Sequence, residues 1–369
     1  MIIGQDKLED SLLSYIHELE KPNYQYQFNF ALEGLTKASN NLNLGFSCFA
    51  LKLKYILNSK DLKPKYLLNW SDYINSFQVQ ENHYFPYSYF DKGYYLEVKR
   101  INARLLLKEG VKKTLNISNK YNFESQSSKI KAFIKAETKQ AISSLNEVSM
   151  PTKHTFADFP SSKDEIYKYL DSFDWSKPWN AGAQFASLSV FSSQENLENQ
   201  EIKDNLKSFI LTKLNKDSGL YYTGVQNSQH ELINGCMKVI TGLEWLEQEI
   251  HYPKKIIDFC LKFKITKEAC DLLDLVYVLS KCLEVTNYKK LEVNNYLKEV
   301  ESKIMENFKP LEGGFSYSKN QSQKMYYGVK VTNGMNYADL HGTMLLTWAL
   351  ALIFNTRETN SRNWKVLKP

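Results

Sequence analysis

Gly342–Phe354 reads GTMLLTWALALIF and holds no charged residue. As a helix it offers water no polar face, so it must be buried on nearly every side. It falls short of the roughly 20 apolar residues that a membrane-spanning helix needs. That leaves the inside of a helical protein. Working outward, Gly182–Phe191 (GAQFASLSVF), Ile233–Leu246 (INGCMKVITGLEWL) and Leu272–Leu283 (LLDLVYVLSKCL) share its character, apolar nearly all round and rich in small residues.

Between them lie helices of a second kind. Asp164–Phe173 (DEIYKYLDSF), Glu201–Leu214 (EIKDNLKSFILTKL) and Leu291–Phe308 (LEVNNYLKEVESKIMENF) repeat apolar residues at three- and four-residue spacing, which gives one stripe toward a core and a charged face outside. The two kinds alternate along the chain. Striped segments fall near 5–20, 65–78, 163–173, 201–214, 253–263 and 290–308. Apolar segments fall near 41–57, 131–145, 180–193, 230–246, 268–284 and 338–354. An inner ring of helices wrapped by an outer ring buries both patterns. The expected fold is all-α, an α/α toroid of about six helix hairpins in one domain over 1–369. Short β hairpins are expected over 83–98 and 311–330, and residues 79–130 read as an irregular insertion over one mouth of the ring.

An internal repeat points the same way. Asp217–Gly224 (DSGLYYTG) and Glu312–Lys319 (EGGFSYSK) each follow a striped helix and precede a polar cluster and an apolar helix. Glycine permits the tight turn and the aromatics cap the core, a pattern that also serves simply to close a helix hairpin.

The turn Gly313–Tyr317 (GGFSY), followed by Asp339–Thr343 (DLHGT) opening an apolar helix, resembles the terpenoid cyclase and protein prenyltransferase toroids over roughly residues 160–354. The resemblance implies an enzyme cavity where the inner helices begin. His341 matches the zinc-ligating histidine of the prenyltransferases, but Cys270 and Asp271 stand adjacent and reversed against that pattern. Asp271-Leu272-Leu273-Asp274 lacks the central acid pair of the class II cyclases. Trp179, Tyr277 and Trp348 would supply an aromatic lining. Gly-Gly-Phe turns also occur in carbohydrate-active α/α toroids.

In such a ring the N-terminal ends of the inner helices, with their unpaired N–H groups, converge at one mouth. The residues there are Glu137 and Gln140; Trp179, Asn180 and Gln184; His230, Glu231, Asn234 and Lys238; Asp271 and Asp274; Asp339 and His341. Asp271, Asp274 and His341 form the expected acid–base set, since neighbouring carboxylate and imidazole groups tune each other's proton affinity. Glu137, Gln140, Trp179, Asn180, Gln184, Glu231, Asn234, Lys238, Tyr277 and Asp339 are the expected substrate contacts. Plainer readings stand beside these. Asp271 and Asp274 also suit the first turn of a helix, Asp339 suits an N-cap, and His341 suits a satisfied core position.

Three functions fit: a cyclase- or transferase-like enzyme on an isoprenoid, a glycoside hydrolase or lyase on a saccharide, and a non-catalytic binder of small molecules. No cofactor is predicted, and no pattern supports zinc or magnesium. The net charge of +6 is spread without a like-charged block, and Lys131, Lys135 and Lys139 fall at the spacing of one solvated helix face, so no nucleic-acid surface is indicated. An odd count of 5 Cys without a CxxC pair fits reduced thiols. Asp6, Glu9 and Asp10 stand where a signal peptide would be apolar. The expected location is the cytoplasm, without a membrane span. The sequence specifies no oligomeric state.

Overall fold

The computed structural model describes residues 4–80, 84–101, 126–194, 197, 200–224 and 228–369. The chain is mostly helical. In order, the helices are α1 (Gln5–Leu19), α2 (Leu44–Ile56), α3 (Pro64–Asn75), α4 (Gln126–Glu147), α5 (Lys163–Asp171), α6 (Pro178–Ser192), α7 (Gln200–Leu211), α8 (Gln229–Trp245), α9 (Pro253–Cys260), α10 (Ala269–Val285), α11 (Lys290–Met305) and α12 (Leu340–Thr356). Two short antiparallel ladders complete it: β1 (Phe308–Lys309) with β2 (Gly314–Phe315), and β3 (Met325–Tyr326) with β4 (Val329–Lys330).

The odd-numbered helices are the striped ones. α11 buries Val293, Leu297, Val300 and Ile304, a single face, and α1 buries Leu8, Leu12, Tyr15, Ile16 and Leu19. The even-numbered helices are buried nearly throughout, except α4, where Lys131, Ala132 and Asn146 are exposed. In α12 every residue from Gly342 to Ile353 is buried, as the opening stretch of sequence requires. Each even-numbered helix packs on the next: α2 on α4, α4 on α6, α6 on α8, α8 on α10 and α10 on α12; α12 then packs on α2. The odd-numbered helices lie against them, α3 on α2, α7 on α6, α9 on α10, α11 on α10 and α12, and α1 on α12.

The Gly-Gly-Phe turn has a specific fit. Gly313 takes φ +83°, and a Cβ there would lie 2.6 Å from the Ser11 carbonyl oxygen. Gly342 lets α12 begin directly against this turn, since a Cβ would come within 2.5 Å of the Tyr317 nitrogen.

Three expectations need correction. Residues 92–101 are helical, where a hairpin over 83–98 was expected. The reason is Asp91, whose Oδ1 accepts from Gly93 N at 2.9 Å and Tyr94 N at 3.4 Å, an N-cap inside an aromatic stretch. Its Oδ2 also accepts from Asn43 N (2.8 Å) and Leu44 N (3.0 Å), so one carboxylate starts two helices. The insertion over 79–130 is correspondingly shorter. Residues 126–130 belong to α4, and 102–125, including most of the Asn- and Ser-rich run, lie outside the described residues. Finally, Lys131, Lys135 and Lys139 do not share a solvated face. Steps of four residues advance about 40° round a helix. Lys131 is exposed, Lys135 lies 4.5 Å over the Tyr169 ring, and Lys139 turns inward.

The five cysteines are unpaired, four of them buried and Cys270 half-buried. Among the described residues no helix is long and apolar enough to cross a membrane.

Candidate functional site

The even-numbered helices are not apolar everywhere. Lys139 and Gln140 of α4, Lys238 of α8 and His341 of α12 keep partial solvent access although their helices are core elements. Lys238 lies near enough to Lys139 and to His341 to act on both electrostatically.

Asp274, on the second turn of α10, is 2% exposed. Its Oδ1 lies 3.9 Å from Lys238 Nζ, and its Oδ2 is buried without a hydrogen-bond partner. Burial pushes this carboxyl up to about 6, while the nearby Lys238 and Lys139 ammoniums pull the other way. Lys139 has no hydrogen bond or ion pair among the described residues. Burial, then the like charges of Lys238 and Lys52, lower it to about 7, with Asp274 opposing. Lys52, on α2, is 4% exposed and donates to Ser143 Oγ at 2.8 Å. It too is lowered, chiefly by burial. Three ammonium groups from α2, α4 and α8 thus act on one another across the interior.

His341 begins α12. Its ring stacks on Phe49 of α2 (4.4 Å, 14°) and lies 6.0 Å from Tyr317. Nδ1 is 2.8 Å from Gln323 Oε1, an arrangement in which Nδ1 carries the proton and Nε2 keeps its lone pair. Burial and Lys238 hold the imidazole down to about 3, so it is neutral at physiological pH.

Glu137 lies one turn before Gln140 and is 1% exposed. Tyr326, from the β3–β4 hairpin, donates to its Oε1. This approach requires glycine at position 45, where a Cβ would meet the Tyr326 hydroxyl at 2.1 Å. Glu137 Oε2 is buried without a partner, as is Gln140 Nε2. Burial raises the Glu137 carboxyl to about 8, against the Tyr326 hydrogen bond, so it is a protonated acid at neutral pH.

The other expected residues divide. Lys238 lies beside Asp274 and acts on His341, and so links these two expected residues. Asp271 makes its hydrogen bonds elsewhere, with Oδ2 2.9 Å from His230 Nδ1 and Oδ1 accepting from Asn234 at 3.0 Å, although its charge helps raise Asp274. Asp339 is fully buried and accepts from three backbone N–H groups, Gly342 (2.7 Å), Tyr317 (2.8 Å) and Gln323 (3.0 Å). Burial nonetheless raises its carboxyl to about 7. It ties the turn to α12. Glu231 accepts from Trp179 N at 2.8 Å, joining the starts of α8 and α6. Trp179 and Asn180 are exposed. Gln184 accepts from Tyr169 OH at 2.7 Å. Tyr277 donates to Glu244 at 2.6 Å and meets Trp348 edge-on at 5.7 Å, so Trp179 stands apart from these two aromatics.

Sequence reasoning missed Lys52, Lys139, Gln323 and Tyr326. For Lys52 a signal existed, because a lysine inside the apolar run Leu44–Ile56 is out of place on a buried helix. Gln323 and Tyr326 come from a loop and a short hairpin with no periodicity to read.

Two depressions lie elsewhere. One of about 750 Å³ is an open surface hollow lined by His17–Gln25 residues and Tyr66. One of about 260 Å³ is lined by Asn146, Gln194 and Trp245 among others, near the ends of α4, α6 and α8. The first brings Lys21, lowered chiefly by burial, beside Tyr66, raised chiefly by burial, and the second is lined by no titratable side chain; the interior gathers more such groups than either. Among the described residues no cluster of three or more His, Cys, Asp or Glu could hold a metal ion. No protein-family model matches the chain, and no curated protein is significantly similar to it.

Proposed function

We propose that the chain is a single α/α toroid and a cytoplasmic enzyme, performing proton-transfer chemistry on a small molecule held inside the ring. The cyclic order of contacts from α2 through α12 and back to α2 supports the toroid. Five unpaired thiols support a reducing compartment. The observation that carries the activity is Asp274: a buried carboxylate with one unpartnered oxygen, raised to about 6, beside Lys238. Such a group exchanges a proton near neutral pH. His341, held neutral, offers Nε2 as an acceptor. Lys139 and Lys238 face Asp274 in the interior and, with Lys52 offset by Glu147, favour a substrate carrying negative charge. They disfavour a carbocationic intermediate, which is the point where the terpenoid cyclase reading is weakest.

A second reading rests on Glu137. It is an acid at neutral pH with an unpartnered oxygen, and with an ionised Asp274 it would form the acid and base of glycoside cleavage. A thermal-shift screen of small organic anions, saccharides and prenyl diphosphates, followed by turnover assays on the hits, tests both. The expected result is stabilisation by anionic compounds, with Asp274→Asn binding them but failing to convert them. Saccharide hits, with turnover lost in Glu137→Gln, would favour the second reading. Equal turnover by Asp274→Asn and the wild type would overturn the first.

A further inference from the structure

We propose that the depression near the ends of α4, α6 and α8 is a second binding site, for a neutral sugar ring. It is separate from the interior around Asp274 and does not rest on that reading. Its lining holds no charged side chain, so an ionic ligand would find no partner there. Ser149, Thr152, Thr155 and Ser193 present hydroxyls, which both donate and accept, and Asn146 presents an amide. Among the described residues the side chains of Asn146, Ser149, Thr152 and Thr155 make no hydrogen bond. Trp245, Met150 and Ile142 supply apolar surface for the C–H face of a sugar. The volume of about 260 Å³ falls just under the roughly 300–1,000 Å³ of pockets for drug-sized molecules, so the occupant is a single ring.

The walls are held by groups other than those hydroxyls. Residues 151–156 form one wall, and three side-chain amides grip its backbone. Asn75 donates to the Pro151 carbonyl and accepts from Lys153 N, both at 3.1 Å. Gln78 donates to the His154 carbonyl at 2.6 Å and accepts from His154 N at 2.8 Å. Gln194 pairs with Phe156 in the same way, at 2.8 and 3.1 Å. Ser193 Oγ donates to the Trp245 carbonyl at 3.0 Å, and Trp245 Nε1 to the Pro369 carbonyl at 2.6 Å. Lys368 Nζ lies over the indole at 4.5 Å without lining the depression. Walls fixed through their backbone, with side-chain hydroxyls left uncommitted, receive a polar ligand at little ordering cost.

Saturation-transfer NMR on the full chain tests this, with methyl glucoside, methyl mannoside, methyl galactoside and N-acetylglucosamine as probes. Glucuronate, glucosamine and adenosine are the controls. At least one neutral sugar is expected to bind, and to bind more tightly than the controls. Thr155→Val and Asn146→Ala, each keeping the thermal midpoint of the wild type, should weaken it about two- to tenfold. Asp274→Asn and Glu137→Gln should bind it as the wild type does. No binding by any neutral sugar up to about 50 mM overturns the proposal. So does a preference for a control, or an affinity that both pocket variants leave untouched. Binding lost in Glu137→Gln and kept in the pocket variants would put the sugar in the interior, ending this proposal and supporting the glycoside reading.

Discussion

Lys281 and Lys139 are both lysines on core helices, and the structure treats them oppositely. Lys281, toward the end of α10, lies 2.8 Å from Glu244 and 3.2 Å from Glu284. Burial works to lower its proton affinity, yet the two carboxylates raise it above the ordinary lysine value. Its neighbours are satisfied too: Tyr277 donates to Glu244, Glu147 accepts the Lys368 N–H, and Trp245 Nε1 donates to the Pro369 carbonyl at 2.6 Å. Nearer the middle of the core helices, Lys139 is acted on by like charges and by Asp274, and Asp274, Glu137 and Gln140 each keep a buried atom without a partner. An unpaired buried polar group costs roughly 1–3 kcal/mol. The fold thus pairs its charges around Glu244 and leaves polar atoms unpartnered around Asp274 and Glu137, the interior proposed above as the site.

The comparison can be broken most forcefully at the paired end. Trp364 is 2% exposed, packs on Phe354 and donates to Glu9 at 2.6 Å, fixing the segment that covers the ends of α2, α4 and α8. Trp364→Ala should lose about 3–5 kcal/mol in urea unfolding. A loss below about 1 kcal/mol would show that this end is not a structural closure.

The pH dependence sharpens the contrast at the other end. Glu137 rises from an ordinary 4.5 to about 8 in the folded chain, so the native state binds the extra proton between these values. Its contribution to stability is complete below about pH 4.5 and is lost as pH climbs through about 8. Asp274, raised to about 6, acts with the same sign, and Lys139, lowered to about 7, opposes it at higher pH. Asp339 and Glu147, each raised to about 7, act with the sign of Glu137, so the thermal midpoint should fall from mildly acid to mildly alkaline conditions, and Glu137→Gln should flatten part of that fall. An unchanged slope in the variant would mean that Glu137 ionises normally.

The smallest effects come from the lysines themselves. Lys281→Met leaves Glu244 and Glu284 without their cation and should cost about 1–3 kcal/mol. Lys139→Met keeps the apolar stem and removes an unpaired charge, so stability should hold or rise by up to about 1 kcal/mol. Equal losses in the two variants would erase the distinction.

What the sequence made legible follows from periodicity. Helices buried all round, such as α12, and striped ones, such as α11, announce themselves because their apolar residues repeat within a few positions. The interior polar residues are harder to read. His230 meets Asp271 across 41 positions and Tyr326 meets Glu137 across 189, and no local spacing encodes such pairs. Lys139 was hidden by its own regularity, since a four-residue repeat that looks like one face rotates from solvent into the core. Asp91 was hidden among aromatics that suggested a hairpin. Asp274 and His341 were legible because they lie near the starts of core helices, and Lys238 because it is the single charge between Ile233 and Leu243 of an otherwise apolar helix.

The central claim is that the interior keeps Lys139 unpaired and partly unprotonated. Titration of lysine-labelled protein by heteronuclear NMR, with Lys139→Gln to assign the resonance, tests it most directly. The account predicts a midpoint of about 7 for Lys139, moving upward in Lys238→Met. A midpoint near the ordinary value of about 10.4, unmoved by that substitution, would contradict it.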